Sequence, residues 1–123
     1  MAFNKIVEGL THAAPANVDL SEKLHYFAKI ASDGDIDLAG DGTTVAGVIV
    51  EAAALGKPAT IQFGGIGKVI AAEAIDENAR LASDSAGKAV NAAAGDFEVG
   101  TAVAAAASGE LCSFIFASGR RHA

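Results

Sequence analysis

Residues Gly47–Phe63, GVIVEAAALGKPATIQF, lie over Gly100–Phe116, GTAVAAAASGELCSFIF, without a gap. The pairs Gly47/Gly100, Val50/Val103, Ala52/Ala105, Ala53/Ala106, Ala54/Ala107, Gly56/Gly109 and Phe63/Phe116 are identical. Self-similarity of this kind means that one supersecondary unit is used twice, so the fold must accommodate two copies of it. Upstream, Lys29–Asp33 (KIASD) matches Arg80–Asp84 (RLASD) at nearly the same spacing, which gives repeats of about 29–66 and 80–119. Strand parity survives the superposition. Ala59, Ile61 and Phe63 fall on Cys112, Phe114 and Phe116, one face of a strand in each half, and are expected in the core.

The unit is a β unit. From Leu24 the chain alternates, with Leu24, Tyr26, Ala28 and Ile30 on one face and His25, Phe27 and Lys29 on the other. Short apolar runs punctuated by Gly, Asp, Asn and Ser predict strands at roughly 24–32, 44–50, 59–63, 66–70, 79–83, 87–91, 97–103 and 111–116. The alanine runs Ala52–Ala54 and Ala104–Ala107 favour helix by propensity, but each is too short to repay nucleation and reads as a turn. The expected fold is mainly β, a small barrel or sandwich of two related halves in residues 23–123. Residues 1–22 show no sustained period and carry Pro15, which reads as an extended N-terminal arm with scattered apolar positions at Phe3, Ile6, Val7, Leu10, Val18 and Leu20.

At 123 residues the chain is one domain by length, large enough to form a core without staples. Net charge is -6, which argues against nucleic acid or any partner held through its phosphates. No stretch of about 18 apolar residues offers a membrane span, and the first 20 residues lack an apolar signal core, so the expectation is a soluble protein made in the cytoplasm. Cys112 is the only cysteine, leaving no disulfide framework, and its apolar neighbours read as core packing. His12, His25 and His122 lack metal-ligand spacing. Asp33, Asp35, Asp37 and Asp41 resemble the start of a calcium loop, but Leu38 stands where glycine is required and Thr44 where glutamate closes the loop. No metal or cofactor is expected.

Two stretches imitate sites. In Gln62–Ile70, QFGGIGKVI, a phosphate loop needs glycine where Gln62 stands and a hydroxyl where Val69 stands, and Ile70 replaces the third glycine of a dinucleotide turn. The glycines read instead as a bend between strands. Lys88, in SAGKAV, sits where a lipoyl- or biotinyl-type carrier domain would display its attachment lysine, but Gly87 precedes it in place of the usual Asp or Met. With no paired carboxylates and no Ser/His or Cys/His arrangement, an enzyme is not expected.

The order of elements resembles the capsid cement, or head-decoration, proteins of tailed bacteriophages. The carriers are VAGVIVEAAALGKPATIQFGGI, AAEAIDENARLASDSAGKAV and DFEVGTAVAAAASGELCSFIF, roughly residues 24 to 118; the SGRRHA tail matches less clearly. The resemblance implies a structural virion protein on the capsid exterior that binds the major capsid protein, cements neighbouring capsomers and acts as a homotrimer. The arm residues Phe3, Ile6, Val7, Leu10, Val18 and Leu20 are then the expected capsid contacts, by strand addition to a coat-protein sheet. The alternatives are a carrier domain modified at Lys88 and a non-viral β-rich binding module.

Overall fold

A computed structural model describes residues 10–117 and 121–122. Among these residues ten strands form two five-stranded antiparallel sheets. The first contains β1 (Thr11–Pro15), β2 (Phe27–Ile30), β3 (Ile36–Leu38), β4 (Gly47–Glu51) and β5 (Pro58–Gln62) in the order β1-β5-β4-β2-β3. The second contains β6 (Ile66–Ile70), β7 (Arg80–Ser83), β8 (Ala89–Asn91), β9 (Gly100–Ala102) and β10 (Leu111–Phe116) in the order β6-β10-β9-β7-β8. Strand for strand this is one topology used twice, and no helix occurs among the described residues.

Each sheet curls until its ends meet. A parallel bridge joins Ala16 to Ile36 in the first half and Ala71 to Ala89 in the second, closing each into a small barrel. The bridges tie the edge strands of each sheet together at one point and shorten the edge left free to pair with other chains. The interior of the first barrel holds Ala16, Leu20, Ala28, Ile36, Ile49, Ala59 and Ile61; the second holds the equivalent Ala71, Ile75, Leu81, Ala89, Ala102, Cys112 and Phe114. Alanine fills three of the seven positions named in each interior, which explains how an alanine-rich chain with few aromatics packs them.

The register differs from the sequence expectation upstream of the clear repeat. Ala28 pairs with Gly47 and Leu38, and Leu81 pairs with Gly100 and Asn91, so equivalent residues are 53 apart from residue 25 onward. Lys29–Asp33 therefore corresponds to Ala82–Ala86, two residues beyond the KIASD/RLASD match. A two-residue slip in a strand keeps every side chain on its face, so parity gave no warning. The backbone fixes the true register: His25 and Asn78, both with positive φ, are equivalents, as are Gly34 and Gly87, Gly42 and Gly95, and Gly56 and Gly109.

The segment expected as an arm ends earlier than residue 22. Thr11–Pro15 pairs along its whole length with Pro58–Gln62, and Ala16 and Leu20 are fully buried. THAAP carries little β signal, but among the described residues it has only β5 as a strand partner along its length, so the missing N–H of Pro15 costs little. β3, three residues in an Asp-rich stretch, was also not expected. Phe63 is 42% exposed, against the expectation of core, while its equivalent Phe116 packs on the second core.

Candidate functional site

The two barrels meet asymmetrically. From the outer wall of the first, Phe27 and Val48 point away from their own interior and join the core of the second, together with Ala39 and Val45. Phe27 meets Phe114 edge-to-face, with ring centroids 5.7 Å apart and planes at 78°. Three backbone hydrogen bonds seat the wall on the second barrel's mouth. The Phe27 N–H donates to the Gly87 carbonyl (2.7 Å), the Gly42 N–H to the Ser83 carbonyl (2.9 Å) and the Phe97 N–H to the Gly42 carbonyl (3.2 Å).

The same mouth on the first barrel is not covered by any of the described residues. Stepping back 53 residues from Ser83, Gly87, Val99, Phe114 and Phe116 gives Ile30, Gly34, Ala46, Ile61 and Phe63, and these with His12 line an open, mainly apolar groove of about 450 Å³. The glycines record the difference. A Cβ on Gly87 would press on Leu38 and the Phe27 carbonyl oxygen, whereas a Cβ on Gly34 would meet nothing within 4 Å. A second hollow of about 510 Å³ shares Ile30 and Ala46 with this groove and is lined further by Lys29, Thr43, Thr44 and Arg121.

The outer wall of the second barrel is not a copy of the first. Arg80 stands at the position of Phe27 and Thr101 at that of Val48. The Arg80 guanidinium donates to the Thr101 hydroxyl (3.1 Å) and lies 3.7 Å from the buried Glu98 carboxylate. His122 Nδ1 lies 2.6 Å from Glu98 Oε2, and the Gly95 N–H, equivalent to that of Gly42, donates to the His122 carbonyl. The chain's own C-terminal residues thus cover the loop that in the first barrel contacts its neighbour.

QFGGIGKVI is the join between barrels. Phe63–Gly65 link β5 to β6, and the buried Gln62 side chain donates to the carbonyls of Gly64 (2.7 Å) and Ile66 (2.9 Å). The glycines do serve as a bend: Gly65 has φ +76, and a Cβ on Gly64 would collide with Leu10. Beside the join, His25 has its Nδ1 buried without a hydrogen-bond partner among the described residues, and burial, aided by nearby Lys68, pushes its imidazole below the usual histidine range.

Of the residues expected to contact a capsid, Phe3, Ile6 and Val7 lie outside the described residues. Leu10 packs over Gly64 at the join, and its carbonyl accepts the Phe63 N–H. Val18 is exposed at the surface. Leu20 fills the first barrel's interior and has no surface to offer a partner. Cys112 is buried in the second barrel, and burial raises its thiol pKa. Lys88 follows the turn of Asp84–Gly87; its Nζ lies 5.9 Å from the Tyr26 ring centroid, so it faces the other barrel instead of crowning a free hairpin. Asp33 and Asp84 cap their own turns through backbone N–H groups of Asp35 and Ala86. The open mouth was missed because it is a property of the missing neighbour, which no local pattern encodes.

The described residues form two tandem β barrels of one topology. The sequence profile described as phage cement protein matches residues 24–116, so the chain belongs to that family and is a bacteriophage structural protein. Among solved structures, the head fiber gp8.5 N base of bacteriophage phi29 has a similar fold, with TM-score 0.68 at 21% identity over 91% of this chain and 98% of that one. No curated protein matches the chain.

Proposed function

We propose that this chain binds the outer surface of the phage capsid and cements neighbouring capsomers through contacts with the major capsid protein, stabilising the mature head. The observation that carries the reading is the extent of the family match, which runs through both barrels from residue 24 to residue 116. The chemistry supports it. A chain of net charge -6 with bridged sheet edges resists self-aggregation and nucleic acid, and keeps its exposed apolar residues for a composite protein site.

The protein works as a homotrimer, made in the host cytoplasm and carried on the virion exterior. Three copies linked in one particle raise effective concentration, so individually weak coat contacts yield avidity gains on the order of 10² to 10⁴. The segment ahead of Leu10, with Phe3, Ile6 and Val7, adds to the coat contact. The test is to prepare capsids of the encoding phage without this protein, add it back and follow occupancy and thermal stability of the shell by electron cryo-microscopy and calorimetry. Bound density bridging capsomers with a raised shell melting temperature is the expected result; absence of binding overturns the reading.

A further inference from the structure

We infer that the open mouth of the first barrel is a socket for a segment of the coat protein that carries an aromatic or large aliphatic side chain. The inference rests on the capsid-binding reading above and names the surface and the chemistry of the contact.

The molecule contains its own template. In the second barrel the equivalent mouth is occupied, and its occupant is the wall carrying Phe27, whose ring meets Phe114. Transferring that contact by 53 residues places an apolar ring against Ile61, the equivalent of Phe114. It also places backbone hydrogen bonds at the Gly34 carbonyl, the Ile30 carbonyl and the Thr44 N–H, the equivalents of Gly87, Ser83 and Phe97. Gly34, Ile30 and Thr44 all border the open groove and the hollow that continues it. The template contacts come from a strand end at Phe27 and a loop at Gly42, so the socket is shaped for backbone that brings one apolar anchor with free N–H and C=O groups beside it, where main-chain bonds position the partner and a pocket selects its side chain. Lys29 and Arg121 at the adjoining hollow suit a carboxylate beside that anchor.

A second copy of this chain is a poor occupant by the same operation. It would bring Arg80 and Thr101 where the template has Phe27 and Val48, setting a guanidinium against Ile61 and Phe63. Its Gly95 N–H, which would have to reach the Ile30 carbonyl, already donates to its own His122. These substitutions stop the barrel-to-barrel contact from propagating into a filament, since a head-to-tail contact that does not close grows without end. Among the described residues no element of this chain fits the socket, and we assign it to the coat protein.

Ile30→Asp and Phe63→Asp test the assignment, because both side chains are already about two-fifths exposed (43% and 42%) and the fold tolerates a carboxylate there. Leu55→Asp, at a 65% exposed residue on the opposite end of the barrel, is the control. Each full-length variant is checked by circular dichroism and light scattering and titrated onto capsids prepared without the protein. Both mouth variants are expected to fold, keep the wild-type oligomeric mass and lose capsid affinity by about tenfold or more, as truncated or charged hot spots do; Leu55→Asp binds as wild type does. Wild-type binding retained in the mouth variants overturns the socket while leaving the cementing reading intact. A fall in oligomeric mass in the mouth variants makes a second copy the occupant and overturns the assignment. A wild-type chain that binds no capsid overturns both.

Discussion

Phe27 of the first barrel and Phe114 of the second stand edge-to-face at 5.7 Å, each fully buried, and each lies on a strand that belongs to a different sheet. The contact couples two units that could otherwise melt separately. Phe114→Ala removes the largest side chain from the second barrel's interior and is expected to cost about 3–5 kcal/mol, with Phe27→Ala in the same range. Phe63→Ala, at the uncovered equivalent of Phe116, is expected to cost less than about 1 kcal/mol. Urea melts measure all three. A Phe27→Ala variant as stable as wild type would mean that the barrels do not support each other.

Much of this architecture was legible in the sequence because the repeat is strongest where the backbone is most constrained. Gly47 and Gly100 survive in both halves because each lies against the carbonyl of the neighbouring strand, at Gln62 and Ile115, where no Cβ fits. The alternating Ala59/Ile61 and Cys112/Phe114 positions place the interior for the same reason. β1 was hidden, since THAAP and its equivalent IGKVI share no residue type and are 55 apart, two more than the rest of the repeat. The open mouth was hidden for a different reason: Phe63 and Phe116 are the same residue type, yet Phe116 is partly buried beside the covered mouth and Phe63 is exposed beside the open one.

Those two glycines yield a prediction with an internal control. Gly47→Ala and Gly100→Ala force a methyl into a backbone carbonyl across the ladder, and are expected to destabilise by about 2–4 kcal/mol because strand separation must change. Gly56→Ala and Gly109→Ala have open space around the new Cβ but sit at φ +83 and +87, so only the left-handed strain of about 1–2 kcal/mol applies. Thermal melts that rank the four variants in the opposite order would refute close approach as the reason for Gly47 and Gly100.

The C-terminal residues fasten the second barrel. The Glu98 side chain is fully buried, with His122 Nδ1 at 2.6 Å and Arg80 Nε at 3.7 Å. His122→Ala withdraws one charged-group hydrogen bond from that carboxylate and is expected to cost about 1–3 kcal/mol. A chain ending at residue 120 also loses the Arg121 contacts to the Gly42 and Gly95 carbonyls, and should melt lower still. Hydrogen exchange at the Gly95 amide, whose acceptor is the His122 carbonyl, reads the effect directly: unchanged protection in the truncated chain would show that the tail fastens nothing.

His25 is expected to make the fold acid-sensitive. Burial, with the Lys68 charge as a lesser cause, pushes its imidazole below the ordinary value of 6.5, so the unfolded chain takes up this proton at a higher pH than the folded chain does. Well above pH 6.5 neither state is protonated and the residue adds no pH dependence. Below 6.5 the unfolded state gains protons first, and stability falls until the folded imidazole is also charged. The substitution that isolates the effect is present in the repeat: Asn78 occupies the equivalent position with φ 70 against 69 for His25, and asparagine tolerates this left-handed backbone. His25→Asn is therefore expected to keep the fold at neutral pH and to lose less stability than wild type between pH 7 and pH 5, measured as urea midpoints. Equal acid losses in the two proteins would assign the acid sensitivity to other groups.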